Sequence, residues 1–485
     1  MNRDFMSLFN KKDIEECLHC NTANEKLKRS LGPIGLIVMG IGAIVGAGIF
    51  IVTGVASATS GPALILSFVI AGIACGLTAL CYAEMSSMIT VTGGIYTYTH
   101  VTMGEIWAWM IGWTGILQYI IAASAVAIGW ASYTSGFLSS MGMALPEVIT
   151  SSPLTGSGLI NLPALLIVAL LTGVLVLGAK ESAKVNASIV IIKLAVITLF
   201  IVIGAQFINP ANYQPFAPNG LTGVLQGAAM VFFAYVGFDT VASAAEETKN
   251  PQRALPIGII GSLAVCSILY ILVTAVMTGM TNYTMFQGSA APVQLALESV
   301  GINWATAIVT VGAIAGLTTV ILVSMFVVPR ILFAMSRDEL LPKRLTKVHP
   351  NFKSPITSII IVGTVAALIS AFLPLEGIFE LVNISALSAF IFLALSVIIL
   401  RRQRPDIPRK FKCPLVPVIP VISIIASLVL ITQLKLLTIE MFAVWLIAGL
   451  AFYFTYRRYK KRANDKNDDL IEQETPSVID EISAK

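Results

Sequence analysis

The sequence predicts an all-α polytopic membrane protein, and three observations predict it. Of 485 residues, 56% are hydrophobic and only 12% charged, with a mean hydropathy of +0.85. A soluble chain carries about 25% charged residues and would have no way to keep this much apolar surface from water. The apolar residues come in long continuous runs, each near the ~20 residues a helix needs to cross hydrocarbon, rather than in the short alternations of a membrane barrel. Lys and Arg fall almost wholly between alternate runs. Disordered, coiled-coil and fibrous chains are excluded, since each needs a polar or strictly repeating composition. Three His and six Cys leave little for a metal centre or a disulfide framework, so no cofactor is expected, and nothing points to nucleic acid.

The elements follow in order. Residues 1–30 are polar and charged. The first apolar run begins near Leu31 and continues too far for a cleavable signal, so it is expected to serve as its own targeting signal. Cys17-Leu-His-Cys20 has the spacing of half a zinc site, but its second half is missing, and a reduced cytosolic tail is the plainer reading. Twelve spans are predicted, at 33–57, 62–89, 103–131, 161–179, 185–207, 222–246, 255–280, 301–336, 355–373, 378–400, 416–434 and 439–456. Residues 31–207 hold the first five, 222–401 the next five and 413–456 the last two. Residues 457–485 form a charged tail of disordered composition. An even number of spans puts both termini on one side, and with them go 29 of the 31 basic residues. Only Lys435 falls on the other side, and Lys193 lies inside span five. Basic loops mark the cytoplasm, so both termini are expected to be cytoplasmic, in the plasma or inner cell membrane.

Span one is interrupted. Gly40-Ile-Gly-Ala-Ile-Val-Gly-Ala-Gly-Ile-Phe50 puts four glycines within nine residues, each weakening a helix by about 1 kcal/mol relative to Ala. Small-residue packing between helices is the bland reading. A dinucleotide loop is excluded by the spacing, and no Gly-Lys-Ser/Thr follows. The second occurrence decides. Span six carries Phe232-Phe-Ala-Tyr-Val-Gly-Phe-Asp239, again with a mid-depth glycine, and spans one and six each open a set of five. Five is odd, so the two sets insert with opposite orientation. Paired interruptions in matching helices mark a transporter's binding site. Half-helix N-termini offer N–H groups and positive charge, and C-termini offer C=O groups and negative charge. An α-amino acid zwitterion complements that pair. Its carboxylate is expected on the amides of Gly46, Ala47 and Gly48, and its ammonium on carbonyls near Ile44, Phe233 and Val236.

The sequence also resembles the amino acid–polyamine–organocation superfamily, and within it the bacterial relatives of cationic amino acid transporters. The resemblance rests on Leu27-Lys-Arg-Ser-Leu-Gly32, Gly40 through Gly54, Cys81-Tyr-Ala-Glu84, Gly178-Ala-Lys-Glu-Ser182, Phe232 through Glu247, Lys249-Asn-Pro-Gln-Arg253 and Met335-Ser-Arg-Asp-Glu-Leu-Leu-Pro342. It implies a LeuT-type fold of 12 transmembrane helices with 5+5 inverted repeats, helices 1 and 6 unwound at mid-membrane. It further implies a permease working by alternating access. One departure is Glu339, where relatives usually have Gly, which bears on local turn geometry.

Lys193 lies eight residues into span five, about 12 Å along the helix. A lysine at that depth costs about 2.5–3.5 kcal/mol on insertion scales, unless it snorkels to the interface. The resemblance implies that its ammonium occupies the place of a sodium ion, beside carbonyls of Gly42 and Val45 and hydroxyls of Thr318 and Thr319. That favours a proton-linked or uncoupled carrier over a sodium symporter. Asp239 follows the span-six break, where it caps the new half-helix or gates, its protonation changing what holds the extracellular side closed. Glu84, Glu246 and Glu247 are read as ion pairs of an inner gate. Side-chain selectivity is expected from Tyr119, Ala122, Phe233, Val320, Val323 and Ser324. They are mostly apolar, so a neutral amino acid is favoured, with arginine, lysine or exchange as alternatives. A sensor that binds without transport, a channel and an intramembrane enzyme are the other classes. No polar pore stripe and no nucleophile–base pair is visible to support the last two.

Overall fold

The computed structural model describes residues 11–12, 31–89, 93–155, 158–177, 183–243, 245, 248–342, 345, 349, 354–375 and 377–474. The Cys17–Cys20 cluster, Gly178–Ser182, Glu246 and Glu247 lie outside them. Among the described residues, fifteen helices carry the fold: α1 (Pro33–Ile44), α2 (Thr53–Ser60), α3 (Leu64–Met88), α4 (Gly94–Met103), α5 (Glu105–Ser140), α6 (Leu162–Val176), α7 (Ala183–Gly204), α8 (Gly220–Val231), α9 (Pro251–Met280), α10 (Pro292–Ser299), α11 (Asn303–Arg337), α12 (Ile356–Phe372), α13 (Ile378–Gln403), α14 (Val418–Thr432) and α15 (Leu436–Glu474). Short 3₁₀, π and single-turn segments join them. No strand occurs among the described residues, where an isolated bridge joins Leu31 and Thr248.

Eight helical stretches among the described residues are long and apolar enough to cross a membrane. One of them is the broken run Pro33–Met88, and three shorter apolar helices, α6, α12 and α14, accompany them. The outward faces of the short helices are apolar too: Leu166 and Leu170 on α6, Ile361 and Leu368 on α12, and Ile425 and Leu428 on α14 are all exposed. Such faces suit hydrocarbon and would be an aggregation hazard in water.

Both expected interruptions are present. α1 stops at Ile44, where Val45 turns extended (φ −74°, ψ 109°); a π-helical turn over Gly48–Val52 then leads into α2. α8 passes into a 3₁₀ turn over Phe232–Tyr235, Val236 is extended (ψ 130°), and Gly237 has φ +127°. α1 packs on α9 and α7, α3 on α9 and α8, and α5 on α11 and α13. The two breaks therefore lie inside a wall of α3, α5, α9 and α11.

Two expected boundaries are corrected. α5 continues to Ser140, nine residues past the expected end of span three. α15 continues to Glu474, so residues 460–474 are helical where the composition suggested disorder. A helix already nucleated within a span propagates cheaply through Lys, Arg, Ala, Asp and Glu, since the unfavourable first turn has been made upstream.

Candidate functional site

The two broken helices touch backbone to backbone. A Cβ on Gly48 would lie 2.4 Å from Ala234 Cβ and 2.5 Å from Ala234 Cα, and one on Gly237 would lie 2.9 Å from the Ala43 carbonyl oxygen. Only glycine permits this approach, and at Gly237 only glycine adopts the backbone angle without strain. Gly46, Ala47 and Gly48 carry the first N–H groups of the second half of span one, where a helix start leaves donors unpaired. Opposite them stand carbonyl ends. Ile44 O accepts from the Tyr270 hydroxyl at 2.8 Å, and Ala234 O accepts from the same hydroxyl at 2.6 Å. Phe233 O accepts the Val236 N–H within its own turn, at 3.1 Å. The start of one half-helix thus lies beside the carbonyl ends of two others, all buried.

Lys193, 1% exposed, reaches inward from α7. Its Nζ donates to Gly42 O at 2.9 Å and Val45 O at 3.1 Å, the carbonyls where α1 ends. Its stem lies along Gly316 of α11. Snorkelling is excluded, because the ammonium sits against the negative end of a half-helix dipole. Of the two threonines expected beside it, Thr318 Oγ1 accepts from Trp130 Nε1 at 2.9 Å, and Thr319 Oγ1 donates to Gly316 O at 2.8 Å.

Asp239 joins two residues expected to act apart. Tyr119 Oη donates to its Oδ2 at 2.7 Å, and Gly237 N–H to its Oδ1 at 3.2 Å. The neighbour of Asp239, Phe238, packs on Tyr82, ring centroids 6.0 Å apart, two residues from Glu84 and its arginines. The carboxylate therefore sits on the basic-loop side of the break, because the chain has already passed the unwound turn when it reaches residue 239. Of the expected side-chain contacts, Val320 stands directly on Gly46, and Phe233 packs on Phe379 of α13 at 4.9 Å. Ala122 and Ser324 are buried on α5 and α11, and Val323 is half-buried.

Two charged clusters lie beyond the breaks. Glu84, fully buried, receives Arg401 in a two-pronged bond (Nε to Oε1 2.9 Å, Nη2 to Oε2 2.7 Å) and the Cys413 N–H at 2.7 Å, with Arg409 Nε 3.2 Å away. The fork geometry holds α3, α13 and the following loop together. Asp338, just past α11, takes Lys12 Nζ at 2.9 Å and Tyr96 Oη at 2.9 Å, with His100 Nδ1 at 3.5 Å. Burial pushes its carboxyl up, but the hydrogen bonds from His100, Lys12 and Tyr96 outweigh that and hold it well below the usual carboxylate range. Next to it, Glu339 has φ +61° and its side chain pairs with Lys460. The left-handed angle is one that glycine adopts without strain. Glu339→Val, whose β-branched side chain tolerates that angle less well than Glu, is expected to lower the melting midpoint in detergent. Glu339→Gly should leave the midpoint unchanged or higher.

Sequence reasoning missed Tyr270, Phe379 and the Asp338 cluster. The available signal for Tyr270 was a lone hydroxyl-bearing aromatic deep in an apolar span, a residue type that finds a hydrogen-bond partner when buried.

The family described as amino acid permease matches residues 31–453. A branched-chain amino acid permease of Bacillus subtilis is 48% identical over 461 residues, covering 94% of this chain and 99% of its own. A methylthioribose transporter of the same organism is 45% identical, covering 93% and 98%. A vacuolar cationic amino acid transporter of Arabidopsis thaliana is 37% identical, covering 82% and 68%. The chain belongs to the amino acid permease family of the amino acid–polyamine–organocation superfamily. It is a multi-pass membrane transporter of amino acids and not an enzyme.

Proposed function

We propose that the chain imports a neutral, aliphatic L-amino acid by alternating access, without sodium and linked to protons, across the cell membrane with both termini in the cytoplasm. The fold is read as twelve spans in a LeuT-type arrangement. Pro33–Met88 counts as two crossings, and the three shorter apolar helices count as one each. Spans 1–5 and 6–10 form the inverted repeats. The observation that carries the reading is the contact of the two breaks at Gly48 and Ala234, with Lys193 Nζ on Gly42 O and Val45 O.

The substrate carboxylate lies on the amides of Gly46, Ala47 and Gly48, and its ammonium on the Ile44 and Ala234 carbonyls. Lys193 supplies a fixed positive charge where a coupling cation would otherwise bind. Its proton is the candidate for exchange during the cycle, because its Nζ is held on the two carbonyls where α1 breaks. Asp239 and Tyr119 act together as the coupling and gating pair on the cytoplasmic side, and Glu84 with Arg401 and Arg409 anchors the inner end of spans two and ten. Two observations support a neutral side chain: Val320, Phe233 and Phe379 supply apolar surface at the breaks, and Asp239 already receives Tyr119 and Gly237. The branched-chain amino acid permease, the first relative above, supports it further.

The similarity to a methylthioribose transporter favours a second reading, a neutral sugar thioether with neither ammonium nor carboxylate. Uptake into proteoliposomes separates them. Labelled leucine, isoleucine, valine, arginine, lysine and methylthioribose are offered without sodium, with and without an inward proton gradient. Leucine-type uptake that the gradient stimulates several-fold is the expected result. Uptake of methylthioribose alone overturns the zwitterion site, and uptake only with sodium overturns the role given to Lys193.

A further inference from the structure

The mechanism above leaves one buried group at its centre without a task. Tyr270, on α9, is fully buried, and its ring packs between Phe68 (5.3 Å) and Tyr235 (5.3 Å). Its hydroxyl lies 2.8 Å from Ile44 O, 2.6 Å from Ala234 O and 3.1 Å from where a Cβ on Gly48 would stand. α9 is itself unbroken through this region. A continuous helix thus places one polar atom at the meeting point of two interrupted ones.

A phenol has a single O–H proton, and here it faces two carbonyls that end two different half-helices. It satisfies one of them fully or shares itself between both. Either way, acceptor capacity stays directed at the same point, since each carbonyl oxygen has two lone pairs. An ammonium group brings three donors and completes the set. The hydroxyl also fixes the separation of the two carbonyls, because it ties Ile44 of the first repeat to Ala234 of the second. A receptor whose acceptors are held before the ligand arrives does not pay the ordering cost on binding.

We propose that Tyr270 is the positioning residue for the substrate's amino group: its hydroxyl holds the Ile44 and Ala234 carbonyls at the spacing that an α-ammonium bridges. This rests on the zwitterion reading given above. The chemical consequence is selectivity for a primary α-amine, applied by a residue that lies behind the two carbonyls.

The test compares L-leucine with 4-methylpentanoate, the same molecule without its amine, in binding and uptake by the full-length protein. In the wild type the amine is expected to strengthen binding strongly. In Tyr270→Phe, which keeps the ring and its packing, leucine should lose roughly tenfold in KM, with kcat changed less than about twofold, while the amine-free acid is almost unaffected. The advantage of the amine therefore shrinks. Tyr213→Phe is the control for general loosening of α9, because it removes a hydroxyl bond to the Ala275 carbonyl of the same helix; it should leave the leucine-to-acid ratio as in the wild type. Equal losses for both ligands in Tyr270→Phe, or no loss for leucine, overturn the assignment.

A second measurement needs no variant. N,N,N-trimethylleucine, which cannot donate to either carbonyl, is expected to bind the wild type no better than 4-methylpentanoate, and binding at the affinity of leucine overturns the proposal. If the wild type binds no amino acid at all, the zwitterion reading falls and takes this assignment with it. That outcome is distinct from a failure confined to Tyr270, in which leucine still binds the wild type.

Discussion

Gly48→Leu abolishes amino acid uptake. The first carbon of any side chain at this position would stand 2.5 Å from Ala234 Cα, which is backbone and has no rotamer to move to. The two half-helices must separate by an ångström or more, or one of them must turn. Overpacking a well-filled interior costs about 1–3 kcal/mol, and at this position the strain falls on the amides and carbonyls proposed above to hold the zwitterion. A loss of about 3 kcal/mol in binding is more than a hundredfold in affinity. The expected result is uptake below about 1% of wild type, with the protein still monodisperse in detergent. Gly173→Leu is the matched control, since an added Cβ there meets nothing within 4 Å. Substrate binding retained in Gly48→Leu would show that the amides around residue 48 do not form the site.

Lys193→Ala is the second large effect. It removes the donor that pairs Gly42 O and Val45 O at 2.9 and 3.1 Å. It also leaves an empty channel along Gly316, where the lysine stem now lies. Each buried carbonyl left without a donor costs about 1–3 kcal/mol, and both belong to the end of α1, next to the amides proposed for the substrate. Uptake driven by a proton gradient is expected to fall by two orders of magnitude or more, and any residual exchange of internal for external amino acid should not respond to pH between 5 and 8. The wild type should show gradient-stimulated uptake over the same range. Unchanged pH dependence in Lys193→Ala would remove the ammonium from the coupling mechanism and leave it a structural clamp.

These effects are legible in the sequence to different degrees. The two interruptions were the most legible, because a cluster of glycines and a Gly-Phe-Asp turn weaken a helix wherever the rest of the chain goes. The end of α1 at Ile44 and the 3₁₀ turn at Phe232 fall within the stretches expected. Lys193 was conspicuous for a similar local reason, as a lone cation inside an apolar run. Tyr270 and Phe379 were not legible. In a membrane span the face toward the protein and the face toward lipid are both apolar, so hydropathy does not say which residues point inward. The charge pairs were hidden for another reason. Glu84 was visible as an acidic residue near a span end, but Arg401 is 317 positions away and Lys12 is 326 positions from Asp338.

The sequence by itself determined that this chain is a multi-pass membrane transporter and where two of its helices break. Each of those properties belongs to a segment of about twenty residues and its solvent, and apolar length, glycine content and the placement of basic residues report it directly. Only the tertiary structure decided that the breaks meet at Gly48 and Ala234, that Tyr270 spans their carbonyls, that Tyr119 holds Asp239, and that this pair lies on the basic-loop side of the break. Those are contacts between surfaces of similar hydropathy. Shape, backbone approach and the pairing of buried polar atoms select among them, and these quantities come into existence only when the helices pack.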